Sequence, residues 1–310
     1  MKNNQLMIYG AYGYAGELMV REAVAQRLRP IIAGRDAEKL KPIATELSLE
    51  CRAFGVRNTG SNLQDISVLL NCAGPFSATA EPLARACLAQ QIHYLDITGE
   101  IDIFRKCHAL DEEARQQNVL ILPGAGTDIV PTDCLAAMLK EKLPVATRID
   151  LALSFGTNPS IGTVNTMIES FGKGGLIREG GMLKVVSNAF QMRKIPFQNK
   201  PQWAMTIPWG DVFTSGISTG VPDGAVYMAM PRMSIYMIRL TNPVKGILNT
   251  QFGQKITKRL AGWLMKKGPD AKALEAGRGQ FWGEADRFAN GNVRTVPAEG
   301  SMAFIVHRSR

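Results

Sequence analysis

Three glycines spaced three apart, Gly10, Gly13 and Gly16, follow the apolar run 6–9 and precede a helix-like run over 17–27. A strand, a glycine turn and a helix start in that order suit one kind of chemistry. Glycine accepts positive φ and, having no side chain, lets an anionic ligand come close to the backbone. The unpaired N–H groups and the positive dipole end of the following helix then face that ligand. The expected guest is a dinucleotide pyrophosphate, cradled by Gly10 to Gly16 with Tyr12, Tyr14 and Ala15 completing the loop. A chain with 30 glycines contains some triplets by chance. The position between a strand and a helix favours the ligand over a purely structural turn.

The second run of strand length, 30–34, ends in Gly34 and Arg35. The tip of this strand selects between nicotinamide cofactors: an acidic residue binds the ribose 2′-hydroxyl of NAD, whereas an arginine accommodates the 2′-phosphate of NADP. Asp36, next in the chain, reads as the cap of a helix beginning at Ala37. NADP(H) is therefore the expected cofactor. Two later turns follow apolar strands in the same manner. Asn71, Cys72, Ala73, Gly74, Pro75 and Phe76 close the strand 67–72, and Thr98, Gly99 and Glu100 close the strand 93–97. Hydride transfer asks little of a protein beyond placing the nicotinamide against a substrate in a dry site, because the cofactor carries the chemistry. No proton donor stands out among the three histidines, and no tyrosine is followed four residues later by lysine. Catalytic residues stay unassigned, with Glu100 and Asp128 as acid/base candidates. His/Cys spacings that would hold a metal are absent.

These turns are positioned by strands alternating with helices as far as Leu122, which predicts a parallel, doubly wound Rossmann sheet whose glycine turns line one crevice. After Pro123 the pattern changes. Strand-like runs at 148–155, 203–207 and 226–230, helices near 163–171 and 243–265, and the hairpin signal Asn290-Gly291 predict a second, α+β domain on a mixed, largely antiparallel sheet. The expected division is 1–130 for the NADP-binding domain and 131–310 for a substrate or dimerisation domain. A length of 310 residues suits two domains. With 45% hydrophobic and 20% charged residues, the chain is an ordinary globular protein. Its five cysteines are scattered and odd in number, as expected for reduced thiols in a cytoplasmic protein. The N-terminal apolar stretch fits a nucleotide turn better than a signal peptide. The apolar region 221–240 is interrupted by Pro222, Asp223, Pro231 and Arg232, so no transmembrane segment is expected there.

Charge is unevenly spread. Residues 1–123 hold 13 basic and 14 acidic side chains, whereas the rest hold 23 and 13, so the net charge of +9 belongs to the second half. A field of that sign attracts a carboxylate, a coenzyme A or carrier-protein thioester, or a phospholipid surface. Nucleic acid is not expected, since no binding motif accompanies the charge. A peripheral membrane contact through the Met-rich stretch 227–237 is a further possibility, with core packing as its plainer explanation.

The ordered series GAYGYAG (10–16), AGRDAEKL (33–40), NCAGPFS (71–77), HYLDITGE (93–100), GTDIVPTD (126–133), IPWGD (207–211) and STGVPD (218–223) resembles the saccharopine dehydrogenase-like oxidoreductases, in particular the branch containing trans-acting enoyl reductases. The resemblance implies an N-terminal Rossmann domain binding NADP(H), followed by a substrate domain. It places Gly10, Gly13 and Gly16 on the pyrophosphate, Arg35 on the 2′-phosphate, and 71–76 with 98–100 near the nicotinamide. It sets Asp128 with Ser160, Gly162 and Thr163 beside the substrate, and it allows a homodimer. Family members usually continue beyond the region of 296–300 with a further helix and a returning segment, so the tail 301–310 is read as divergent. The function expected is an NADP-dependent reductase acting on a C=C, C=O or C=N bond of an acidic or acyl-bearing substrate. The alternative is a non-catalytic NADP(H)-binding redox sensor or partner-binding protein.

Overall fold

A computed structural model describes residues 5–155, 174–244, 250, 278–289 and 292–303. The chain divides into two compact units, Met1–Val130 and Pro131–Arg310.

In the first unit, six short strands form one parallel sheet in the order β3-β2-β1-β4-β5-β6. They are β1 (Leu6–Tyr9), β2 (Ile31–Gly34), β3 (Cys51–Ala53), β4 (Val68–Asn71), β5 (His93–Asp96) and β6 (Ile121–Leu122). The interleaved helices are α1 (Tyr14–Ala25), α2 (Ala37–Leu47), α3 (Phe76–Ala89), α4 (Ile101–His108) and α5 (Asp111–Gln116). Apolar cores lie on both faces, one around Met7, Leu69, Leu83 and Tyr94 and the other around Ile8, Val20, Ile32 and Leu40. Burial on both faces explains why these strands read as continuous apolar runs. The chain reverses winding direction between β1 and β4, which places the switch point of the sheet at Gly10 and Ala73.

Two local features have clear causes. Helix α3 starts at Phe76, because Pro75 enters in the extended conformation and Thr79 Oγ1 reaches back to the Ala73 carbonyl at 2.6 Å. The chain after Glu100 forms two helices, α4 and α5, separated around Leu110, whose side chain is buried.

The second unit begins with α6 (Val130–Lys142) and carries an eight-stranded mixed sheet. Its strands are β7 (Arg148–Ser154), β8 (Gly175–Glu179), β9 (Met182–Val186), β10 (Met192–Pro196), β11 (Pro201–Thr206), β12 (Asp223–Ala229), β13 (Arg278–Ala289) and β14 (Asn292–Ala303). The main path runs β10-β11-β12-β7-β13-β14, with β8 on β12 and β9 on β8. Among the described residues, β7 and β12 pair in parallel and the other ladders of this sheet are antiparallel. The β13–β14 hairpin aligns Ala289 with Asn292, as the Asn-Gly signal between them requires. Two helices, α7 (Asp211–Thr219) and α8 (Arg232–Leu240), and the β8–β9 hairpin through Gly180-Gly181 lie in stretches whose short patterns gave no signal at the level of sequence. Most of the helix expected over 243–265, and all of that over 163–171, lies outside the described residues.

Candidate functional site

The glycine turn is dictated by space. Gly10 has φ +84°, and a Cβ there would meet the Ala73 backbone nitrogen at 2.7 Å. A Cβ on Gly16 would lie 2.1 Å from the Gly10 carbonyl oxygen, so α1 packs directly on the turn. Gly13 N–H donates to that same carbonyl at 2.9 Å. Helix α1 then starts at Tyr14, with Gly13 at its N-cap and no side chain capping it. First-turn N–H groups have no intrahelical acceptor, so those of Tyr14, Ala15 and Gly16 are left to an anionic acceptor beside the β1/β4 switch point. A pyrophosphate fits this cradle.

Beside it, Tyr12 lays its ring over Gly34, whose Cβ would lie 2.6 Å from the ring edge. The Lys39 ammonium sits 5.8 Å from the centre of the same ring. Arg35 is exposed at the tip of β2. Asp36 Oδ1 accepts the N–H groups of Glu38 and Lys39 at 3.1 and 3.3 Å, which is the helix cap expected of it. Its carboxylate is thus occupied by α2, and the cations Arg35 and Lys39 define the charge at this end. Lys39 was missed in the sequence because only its helical return, one turn after Arg35, brings it over Tyr12.

At the other half of the sheet edge, Asn71, Asp96 and Thr98 are fully buried, and Cys72 nearly so. Burial, reinforced by the Asp96 carboxylate, pushes the Cys72 thiol up to about 12, so it stays protonated. Gly74 and Pro75 are exposed, while Ala73, Phe76, Gly99 and Glu100 are half-buried. Glu100 occupies the N-cap position of α4, and its own N–H donates to Thr98 Oγ1 at 3.1 Å. Asp128 approaches Gly99, its Oδ2 lying 3.8 Å from where a Cβ would stand. The Asp128 side chain is open to solvent yet recessed among protein atoms, and that desolvation raises its carboxyl above the usual range. The structure therefore brings Asp128 to the Thr98–Glu100 turn. Ser160, Gly162 and Thr163 lie outside the described residues. Among the described residues, no cluster of His, Cys, Asp and Glu is arranged to hold a metal.

Two motifs of the second half have structural work. Arg178 is 4% exposed, and it donates to the carbonyls of Val212 and Val221 and to Ser215 Oγ, tying β8 to α7. Gly216 and Gly224 leave room for it, since a Cβ on either would sit 2.9 Å from guanidinium atoms. Desolvation brings this guanidinium down to about 10. Asp211, at the end of IPWGD, accepts from Thr132 of α6 at 2.7 Å. The run Gly216-Ile217-Ser218-Thr219-Gly220 matches the Gly-x-Ser-x-Gly pattern of a nucleophile elbow. Here it lies in the last turn of α7 rather than on a strand-to-helix turn, and Ser218 donates to Asp133.

With this geometry the chain can be compared with known proteins. Residues 6–122 match the model of the saccharopine dehydrogenase NADP-binding domain. A saccharopine dehydrogenase-like oxidoreductase of Rattus norvegicus is 26% identical over 231 residues, covering 65% of this chain and 53% of the relative. A Mycobacterium tuberculosis protein named as a trans-acting enoyl reductase is 28% identical over 206 residues, covering 59% and 44%. This chain spans about half the length of the curated relatives it matches. Among solved structures, apo saccharopine dehydrogenase (L-Glu forming) of Saccharomyces cerevisiae superposes with a TM-score of 0.64 over 97% of this chain and 85% of that one, at 9% identity, a likeness of fold. The glycine cradle at the switch point and the matched domain agree: residues 6–122 form an NADP-binding domain of the saccharopine dehydrogenase type, and over about two thirds of its length the chain is similar to saccharopine dehydrogenase-like oxidoreductases.

Proposed function

We propose that this protein is an NADP-dependent reductase that delivers hydride to a C=C, C=O or C=N bond of an acidic or acyl-bearing substrate. The observation that carries the reading is the uncapped start of α1, packed so closely on the Gly10 turn that a Cβ at Gly10 or Gly16 would collide with backbone atoms. Gly10, Gly13 and Gly16 would hold the pyrophosphate, and Arg35 with Lys39 the 2′-phosphate. The turns 71–76 and 98–100 would receive the nicotinamide. The bound cofactor supplies the hydride.

What the chain itself adds is orientation, a water-poor floor made by Cys72 and Thr98, and a source of protons. Asp128 is the better candidate for the last role. Its raised carboxyl retains a proton to higher pH than an ordinary aspartate, as a general acid requires. Preference for NADP over NAD is supported by the engagement of Asp36 in the α2 cap, which leaves arginine and lysine beside the ribose position. The basic second half supports an anionic substrate such as a carboxylate or an acyl thioester. Five free cysteines support a reducing, cytoplasmic setting.

The test is NADPH and NADH titration followed by nicotinamide fluorescence, with Arg35→Asp beside the native chain. Selective NADPH binding that weakens at least about tenfold in the variant is expected from the loss of a charge-assisted contact. Equal affinity for both nucleotides, unchanged by Arg35→Asp, would refute the assignment of the 2′-phosphate. Substrate-dependent NADPH oxidation with acyl thioesters or keto and imino acids then separates an enzyme from a redox sensor, for which binding without turnover is expected.

A further inference from the structure

Beneath the crevice lies a buried polar chain that the proposed chemistry does not use directly. Asn71, Tyr94 and Asp96 each have 0% exposure. Asn71 and Asp96 are register partners on β4 and β5, and Tyr94 lies two residues before Asp96 on the same face. Asn71 Nδ2 donates to the Tyr94 hydroxyl at 3.1 Å, and that hydroxyl donates to Asp96 Oδ2 at 2.8 Å. Each end of the chain grips backbone. Asn71 Oδ1 accepts Ala73 N–H at 3.0 Å, while Asp96 Oδ1 accepts the N–H groups of Thr98 and Gly124 at 3.0 and 2.8 Å. Thr79 closes the circuit, accepting from Asn71 Nδ2 at 3.2 Å and donating to the Ala73 carbonyl at 2.6 Å.

The direction of this chain is set by Asp96. As a carboxylate it only accepts, so Tyr94 must donate toward it and Asn71 must donate toward Tyr94. Burial raises the Asp96 carboxyl, and the three donors oppose that shift. An apolar trio of the same volume would avoid the desolvation cost and serve a core at least as well. What the polar trio supplies instead is the placement of three N–H groups, one in each loop following β4, β5 and β6.

We propose that Asn71, Tyr94 and Asp96 act as positioning residues that hold the loops receiving the nicotinamide end of the cofactor, while the adenosine end is gripped independently of them. This rests on the NADP(H) reading above. All their polar contacts are inward, so their effect on a ligand passes through the backbone of 73–76, 98–100 and 124–126.

The experiment uses two probes on the full chain: NADPH, and 2′,5′-ADP, which carries only the adenosine end. Tyr94→Phe keeps the ring and removes the relay hydroxyl; Asp96→Asn keeps the volume and places a donor where an acceptor is required. Both variants are expected to bind 2′,5′-ADP within about twofold of the native chain, as for sites that do not share partners. Their NADPH affinity should fall about tenfold, or about 1.4 kcal/mol, and the nicotinamide emission should move toward that of free NADPH. A parallel loss of both ligands would assign the trio to stability alone, and no loss of either would remove its role; each result overturns the proposal. If the native chain binds neither probe, the cofactor reading itself fails. If it binds both and the variants show no split, only this inference does. Should Asp96→Asn not fold, Tyr94→Phe alone decides.

Discussion

Both sheets bury charged and polar side chains, but they use them in opposite ways. In the parallel sheet, Asp96 is a single carboxyl surrounded by three neutral donors, the Tyr94 hydroxyl on its own strand and the N–H groups of Thr98 and Gly124 in loops at the open edge. In the mixed sheet, Asp150 is 3% exposed and pairs with Arg148 at 2.9 Å and with Arg193 at 3.5 Å, and Arg193 also pairs with Glu284. Arg193 lies over the rings of Trp282 and Tyr227 at 4.9 and 5.7 Å, and Ala225 N–H completes Asp150 at 3.0 Å. Two cations and two carboxylates compensate one another inside the second sheet. The first sheet instead ties its buried carboxylate to the backbone of two loops, and leaves the first N–H groups of α1 without a side-chain cap. The lesson is that a buried charge marks a ligand site by where its hydrogen bonds end, not by its burial.

The contrast can be broken most severely at the open edge. Gly16→Ala pushes a methyl group toward the Gly10 carbonyl, separating α1 from the turn. NADPH binding is expected to weaken by at least about 100-fold, roughly 2.7 kcal/mol, while the urea transition of the second unit stays in place. Retained affinity in a folded Gly16→Ala protein would show that the cradle is not the pyrophosphate site.

The closed side can be broken separately. Arg178→Met leaves the carbonyls of Val212 and Val221 without their donor in a buried setting, a loss of about 2–3 kcal/mol. Chemical denaturation followed by tryptophan fluorescence should register this, because all four tryptophans (Trp203, Trp209, Trp263, Trp282) belong to the second unit. NADPH affinity of the folded protein should be unchanged. A variant as stable as the native chain would mean that the clasp between β8 and α7 is dispensable.

The smallest effect sharpens the comparison within the first unit. Asp36→Ala removes the α2 cap and should cost about 1 kcal/mol of stability, measured by thermal unfolding. The ratio of NADPH to NADH affinity should hold, since this carboxylate serves α2. A marked change in that ratio would instead put Asp36 on the ribose.

Much of the first sheet was legible because parallel strands buried on both faces appear as apolar runs that end in glycine-containing turns, and at Gly10 and Gly34 the glycine has a steric reason to be there. Gly10 and Asp36 could be assigned from their immediate neighbours, since a turn and a helix cap are local events. Tyr94 and Asp96 were not recognised as partners of Asn71. A signal was present, in that a carboxylate at the end of an otherwise buried parallel strand is out of place. Its partners, however, come from β4, α3 and the loop after β6, which only the strand order brings together.

The sequence by itself determined the nucleotide turn, the alternation that builds a parallel sheet, and the basic excess of the second half, all properties of neighbouring residues or of composition. Only the tertiary structure decided that Lys39 stands over Tyr12, that Asp128 approaches Gly99, that Arg178 clasps α7, and that Asn71, Tyr94 and Asp96 form one chain. Each of these depends on contacts between segments that are distant in sequence or separated by a helical turn. Hydrophobic period and turn chemistry specify elements, whereas the pairing of buried polar groups is settled when those elements pack.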